Sequence, residues 1–284
     1  MSLPSLNLLG PGRLGRSLAR LFVDAGVLRV QAIVGRSRQN ATGALAFIGA
    51  GELVPLADLP PADFTLIATA DDAIAGVAAA LARQGRVRPG DVVFHCSGAL
   101  GSEILAPLQP CGAHLASLHP LRSFAVPEKV IAEFSGTVCA AEGDGEARQK
   151  LEPLFAAIGG KPIAIAPEHK LLYHAGAVLA CNHLVALIEA ALVSLEAAGL
   201  PRDAAWAALR PLIDGTLANI DARGTQGALT GPLARGDLST VLAEIAATAA
   251  TDPELGRSYA QMSRFATRLL APDAPITLDQ LPRL

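Results

Sequence analysis

Residues 6–37 read LNLLGPGRLGRSLARLFVDAGVLRVQAIVGRS, and this stretch decides the fold. An apolar run ending at Leu9 leads into Gly10-Pro11-Gly12-Arg13-Leu14-Gly15. Leu14, Leu18, Leu21 and Phe22 then recur at helical spacing, and a second apolar run closes on Gly35-Arg36-Ser37. Strand, glycine turn, helix and strand in that order are the context that a Gly-x-Gly-x-x-Gly fingerprint needs if it is to bind a dinucleotide. Gly10 permits the tight turn, Gly12 lets the backbone approach a pyrophosphate, and Gly15 lets the helix lie close on the sheet. The free N–H groups and positive dipole end of that helix then point at the phosphates. Gly26 supplies its stop signal.

The end of the second run selects the cofactor. An acid there holds the ribose 2′-OH of NAD, whereas an Arg accommodates the 2′-phosphate of NADP. This chain places Arg36, Ser37 and Arg38 at that point, with no carboxylate. Its first 50 residues carry six Arg against one acid, Asp24, while the whole chain carries a net charge of −3. That local field favours an anion, and the expectation is NADP(H). The plainer alternative is that Arg36 and Arg38 are ordinary exposed loop charges.

With 284 residues, the chain can bury one large core or two ordinary ones. Hydrophobic residues make up 51%, charged residues 17% and aromatics only 4%, with no basic stripe interleaved with aromatics, which argues against nucleic acid as a partner. The N-terminus enters the first strand with no charged n-region or apolar h-region ahead of it, so a cytoplasmic location is expected. Cys96, Cys111, Cys139 and Cys181 lack C-x-x-C spacing, so neither a disulfide framework nor a zinc site is expected, and no other cluster calls for a metal. Residues 171–188 are long and free of formal charge, which raises a membrane span. His174, Asn182 and His183 interrupt them and Glu189 follows. The reading is therefore a helix buried in a bundle or a subunit interface, with no membrane and with a homodimer formed through the helical domain.

Strand signals continue at 63–68, followed by Thr69-Ala70-Asp71-Asp72 and a helix over 73–83, and at 92–96, with Ser97-Gly98-Ala99 at the carboxyl end. Residues 41–61 must hold a short helix and a short strand. Further strands fall at 114–118, 137–141 and 162–165. The class is α/β: a Rossmann doubly wound sheet over residues 1–165, its ligand crevice beyond the carboxyl ends of the strands. Near Ala166 the character changes to an all-α domain over residues 166–284. Pro167 suits a first helical position, and one long helix runs from there to about residue 198. Residues 203–220 are helical with an interruption at Pro211. Asp237 caps the next helix, and Asp252-Pro253-Glu254 starts the last. Between the 203–220 helix and the one capped by Asp237 lies a glycine-rich loop, 223–236, longer than the usual helix connection.

Together the Gly-Pro-Gly-Arg-Leu-Gly turn, the Ala68-Thr69-Ala70-Asp71-Asp72 and Cys96-Ser97-Gly98-Ala99-Leu100 turns, Ser117-Leu118-His119-Pro120-Leu121, Tyr173-His174-Ala175 through Asn182, and Leu229-Thr230-Gly231-Pro232-Leu233-Ala234-Arg235-Gly236-Asp237 resemble the Rossmann-like proteins that carry a DUF2520 C-terminal domain. That family is similar to pyrroline-5-carboxylate reductase and more distantly to the 6-phosphogluconate and β-hydroxyacid dehydrogenases. Its members are often named as NADP- or coenzyme F420-dependent oxidoreductases. In β-hydroxyacid dehydrogenases, a Lys opening the interdomain helix and an Asn one turn later reach the substrate. Lys170 matches the Lys here, but His174 stands where the Asn would be.

Helix geometry puts Lys170, His174, Ala177 and Cys181 on one face, with Asn182 roughly 80° round from His174. The expected catalytic residues are Lys170 or His174 as proton donor, and His119 where a strand ends before Pro120. Expected substrate contacts are Ser97, Asn182, Thr230 and Arg235, the Arg being suited to a carboxylate. The expected cofactor contacts are Gly10, Pro11, Gly12, Arg13, Leu14, Gly15, Gly35, Arg36, Ser37, Ala68, Thr69, Ala70, Asp71 and Ser97. The expected function is an NADP-dependent oxidoreductase that moves a hydride to or from a C=O or C=N bond of a small, carboxylate-bearing molecule. The alternatives are an F420-dependent oxidoreductase and a non-catalytic NADP-binding sensor or scaffold.

Overall fold

The computed structural model describes residues 2–271 and 274–283. In chain order its elements are β1 (Ser5–Leu9), α1 (Arg13–Asp24), β2 (Arg29–Val34), α2 (Arg38–Ile48), β3 (Glu52–Leu53), β4 (Phe64–Ile67), α3 (Asp71–Arg83), β5 (Val92–His95), β6 (His114–Pro120), α4 (Pro127–Glu133), β7 (Val138–Gly143), α5 (Gly145–Ala157), β8 (Lys161–Ala164), α6 (Lys170–Ala180), α7 (Asn182–Ala197), α8 (Arg202–Ala228), α9 (Gly231–Arg235), α10 (Leu238–Thr251) and α11 (Pro253–Ala266). Two compact units divide the chain, 1–179 and 180–284.

The first unit is built on one eight-stranded sheet, order β3-β2-β1-β4-β5-β6-β7-β8. Its strands pair in parallel except β6 and β7, which are antiparallel. The strand order reverses between β1 and β4, the switch point at which ligands of such sheets bind. Strands buried on both faces need helices on both sides. Alternation along β1 meets that need: Leu6 and Leu8 enter one core with Leu18 and Phe22 of α1, and Leu9 enters the other with Ile67 and Ile74. Phe155 of α5 closes the first core, its ring edge-to-face with Phe22 at 5.3 Å and with Phe94 at 6.2 Å.

The second unit is helical, with a small core of Leu233, Val241, Ile245, Ala260, Ile276 and Leu281. Asp237 and Asp252 cap α10 and α11 as expected, accepting from Thr240 N at 3.1 Å and Glu254 N at 2.7 Å.

Three helical expectations are corrected. The long helix is not continuous: a 3-10 turn at Pro167–His169 precedes α6, and Cys181, at φ −117° and ψ −71°, separates α6 from α7. The apolar pattern is the same on both sides of that step, so periodicity hides it. Pro211 does not interrupt α8; its missing N–H costs one bond on a solvated helix, and the chain leaves helical geometry instead at Gly224, at φ +68°. The supposed loop 223–236 is mostly helix, because the positive φ of Gly224, Gly231 and Gly236 punctuates short helical pieces. Residues 171–188 are also not buried within the chain. Leu171 is 67% exposed, Leu172 75% and Val185 67%. Within the span Pro167–Ala197 an 18-residue window reaches a mean hydropathy of 1.9, enough by length and composition to cross a membrane.

His95 ends β5 and is fully buried. Its Nδ1 accepts from Ser97 N at 3.1 Å, so Nε2 carries the hydrogen and donates to the Gly101 carbonyl at 3.0 Å. Burial pushes its pKa down to about 4, with the Gly101 carbonyl opposing and the Lys170 charge assisting. The unfolded chain takes up this proton near its ordinary value of about 6.5, the folded chain only near 4. The contribution to stability is therefore complete above about pH 6.5 and is lost as the pH falls toward 4, at up to about 1.4 kcal/mol per pH unit. Chemical denaturation across that window is expected to show a shallower pH slope for His95→Gln than for wild type. Equal slopes would mean that the ring already titrates in the folded protein.

Candidate active site

The glycine turn has the shape its residues dictate. Gly10 sits at φ +85°, and a Cβ there would lie 2.7 Å from Thr69 N and 2.8 Å from the Ala68 carbonyl. A Cβ on Gly15 would lie 2.8 Å from the Gly10 oxygen and 3.0 Å from Leu8, so α1 can approach the sheet only with glycine there. Gly12 faces open space. No side chain caps α1, which leaves its first-turn amides available. Thr69 Oγ1 is buried beside this turn with no hydrogen-bond partner among the described residues. Pro11 packs against Gly35, where a Cβ would lie 3.1 Å from the proline ring. Arg36 and Arg38 are exposed just beyond β2, and Ser37 caps α2 through Asn40 N at 3.4 Å. An uncapped helix end, an open glycine and an orphaned buried hydroxyl together fit the pyrophosphate of a dinucleotide.

Ser97 uses all its capacity in building the turn after β5. It donates to the Asp71 carboxylate at 2.8 Å and accepts from Ala99 N at 3.2 Å and Leu100 N at 3.0 Å. Asp71 is thereby engaged in the first turn of α3. The next residue, Gly98, is the centre of the site. A Cβ on it would lie 2.4 Å from His174 Nδ1 and 2.9 Å from His119 Nε2. Two imidazole nitrogens thus converge on one point that only a hydrogen can occupy. Their rings stand edge-to-face at 5.9 Å. His119 Nδ1 is 3.2 Å from the Tyr173 hydroxyl, and His174 Nδ1 has no partner among the described residues.

Burial, followed by the Lys170 and His174 charges, holds the His119 pKa down at about 4, so the ring is neutral at physiological pH. Burial likewise pushes Tyr173 up to about 12.

Lys170 opens α6 and is 2% exposed. Its Nζ donates to Ser117 Oγ on β6 and lies 3.4 Å from Glu142 Oε1 on β7. Glu142 also accepts from Ser102 N and Ser102 Oγ, both at 2.8 Å. Desolvation pulls the Lys170 pKa down while Glu142 pulls it back. The lysine is therefore a buried group bonded to both β6 and β7.

Of the residues singled out in the sequence, Asn182, Thr230 and Arg235 belong to the second unit, all exposed. Thr230 lines an apolar cavity of about 850 Å³ there, with Leu195, Val241, Tyr259 and Met262. Sequence reasoning passed over Tyr173, Gly98, Ser117 and Glu142. Glu142 had a signal: a carboxylate in the apolar strand Val138–Gly143 needs a buried cation, and Lys170 is that cation.

Residues 4–120 match the Rossmann-like domain family, and residues 137–266 match the domain of unknown function DUF2520. No curated protein matches the chain in sequence. Among solved structures, protein TM1727 from Thermotoga maritima is similar at 28% identity over 93% of this chain and 97% of its own, with a TM-score of 0.73. An imine reductase from Myxococcus stipitatus in complex with NADP+ shares the fold at 16% identity over 98% and 99%, TM-score 0.68. So does a pyrroline carboxylate reductase from Plasmodium falciparum with NADP bound, at 13% identity over 93% and 98%, TM-score 0.58. The glycine turn and the sheet around it belong to the first matched region, and Lys170, Tyr173 and His174 to the second: the chain joins a Rossmann-like domain to a DUF2520 domain.

Proposed function

We propose that this chain is an NADPH-dependent reductase acting on a C=O or C=N bond of a small molecule. The observation that carries the reading is the convergence of His119 and His174 over Gly98, which follows β5 at the same carboxyl-terminal end of the parallel strands as the glycine turn after β1. Gly12, the amides of α1 and Thr69 would hold the pyrophosphate, and Arg36 the 2′-phosphate. When bound, the nicotinamide supplies the hydride. His119 donates a hydrogen bond to the substrate heteroatom, and His174, with its free Nδ1, delivers the proton that this atom needs as it gains charge. Lys170 holds α6 in place from below. Of the three related structures named above, two hold NADP and none is named with F420, which leaves F420 without support. A sensor reading keeps the glycine turn but gives the converging histidines no work.

We also propose a homodimer. Leu171 and Leu172 on α6 and Val185 on α7 are each largely exposed apolar side chains, and a second copy would cover them.

Calorimetry is expected to show NADPH binding roughly ten- to a hundredfold tighter than NADH, from a charge-assisted contact of about 1.5–3 kcal/mol, with Arg36→Ala abolishing the difference. Equal affinities in wild type would defeat the NADP assignment. In a screen of 2-oxo acids and cyclic imines, His174→Phe is expected to cost at least about a hundredfold in turnover while leaving NADPH affinity intact. Lys170→Met should instead act on stability, by about 3–5 kcal/mol, because it strands the buried Glu142 carboxylate. Wild-type turnover in His174→Phe would move the proton donor elsewhere. Light scattering at micromolar concentration should give twice the chain mass, and a monomer would reject the dimer.

A further inference from the structure

Tyr173 is half-buried on α6, and its ring stands edge-to-face on His119 with centroids 5.7 Å apart. Among the described residues its hydroxyl has one hydrogen-bond partner, His119 Nδ1 at 3.2 Å. A neutral imidazole has one N–H and one bare nitrogen, and a phenol has one hydrogen to give. If Nδ1 carried the ring hydrogen, the phenol hydrogen would be left with no acceptor. If the phenol donates, Nδ1 is the bare nitrogen and the ring hydrogen sits on Nε2, which faces the point above Gly98. Each arrangement leaves one hydrogen without a partner among the described residues, but the second pairs the stronger donor, a phenol O–H, with the stronger acceptor, a bare imidazole nitrogen. Burial first, then the charge of Lys170 and the neighbouring His174, oppose a second proton on the ring, with Asp71 pulling the other way.

We infer that Tyr173 is a positioning residue that locks His119 as its Nε2–H tautomer, making the point above Gly98 a neutral hydrogen-bond donor that selects reducible groups with a free lone pair. A ketone, an aldehyde or a neutral imine offers that lone pair. A permanently charged iminium does not, and it would also meet the field of Lys170. The selection of substrate class rests on the reductase reading; the tautomer does not. Gly98 is part of the device. Its φ lies outside the left-handed region, so an alanine there strains no backbone and acts only by pushing the two rings apart.

Full-length protein with ring-labelled histidine, examined near neutral pH by long-range ¹H–¹⁵N NMR, tests the tautomer directly. The His119 signal, identified by its loss in His119→Gln, should report one tautomer with hydrogen on Nε2. In Tyr173→Phe, a change that removes one oxygen and keeps the ring, both tautomers should appear. A wild-type signal with hydrogen on Nδ1, or an unchanged signal in Tyr173→Phe, overturns the inference. For the selectivity, 3,4-dihydroisoquinoline at a pH where the neutral imine predominates should perturb the His119 Nε2 signal of NADP-saturated protein. Its N-methyl iminium should need at least about tenfold more ligand for the same shift, and Gly98→Ala should abolish the response to the neutral imine. Equal response to the two probes, or none to either, overturns the lone-pair selection. NADPH oxidation enters none of these readouts, so a failed reductase assignment and a failed tautomer assignment are told apart.

Discussion

The site depends on one buried ion pair. Lys170 and Glu142 are 2% and 1% exposed, and no charge survives at that depth without a partner. The pair joins the first residue of α6 to β7, and the bond from Lys170 to Ser117 joins it to β6. An α-helix turns every 3.6 residues, so fixing Lys170 also fixes the residues one turn later, Tyr173 and His174. Those are the two side chains that α6 brings to His119 and Gly98. Ser117 also lies 3.5 Å from His95 Nδ1, and His95 takes the Ser97 amide, so the same network reaches the turn that carries Gly98. Two parts of the site, one on a strand end and one on a helix, share one support.

This arrangement explains why the lysine gains little from being basic. Lys170 directs two of its three N–H donors at Ser117 and Glu142, inside the fold, and is 2% exposed. Replacing such a pair by apolar residues of similar volume is often neutral for stability, whereas removing one partner is not. What the pair adds is direction: it admits one placement of the N-terminus of α6 over β6 and β7, where an apolar contact would tolerate a sliding helix. His174 is where the freedom is kept, half-buried with an Nδ1 that has no hydrogen-bond partner among the described residues.

The first unit was legible because its signals are local. Gly10, Gly12 and Gly15 announce a turn whose backbone permits little else, and the apolar runs of β1, β2, β4 and β5 carry their own period. The second unit was less so. Pro211 and the glycines of 223–236 are strong punctuators in isolation, yet solvated helix absorbs a proline, and a single positive-φ glycine breaks a helix without making a loop. For the site, His119, Lys170 and His174 stood out as polar residues in apolar surroundings. Tyr173 and Glu142 did not, because their roles exist only across the chain: 54 residues separate Tyr173 from His119, and 28 separate Lys170 from Glu142. Gly98 was visible as one glycine among many. Only the two rings above it reveal why a side chain has no room there.

The helix that carries half of the site is also poorly covered by the rest of the chain. α6 has 11 residues, about the length at which an isolated helix is marginal in water. Its inward anchor is Lys170, while Leu171 and Leu172, the very next residues, are among the most exposed apolar side chains described. The inward contacts of α6 are thus few, the Lys170 bonds and the Tyr173–His119 contact, while Leu171 and Leu172 between them are left uncovered. Whatever covers Leu171 and Leu172 therefore also steadies Tyr173 and His174, since all four lie within two turns of the same helix. A second copy covering this face, as proposed above, would order the Tyr173 and His174 side chains as it binds, and its association and the proposed site would then be linked in both directions.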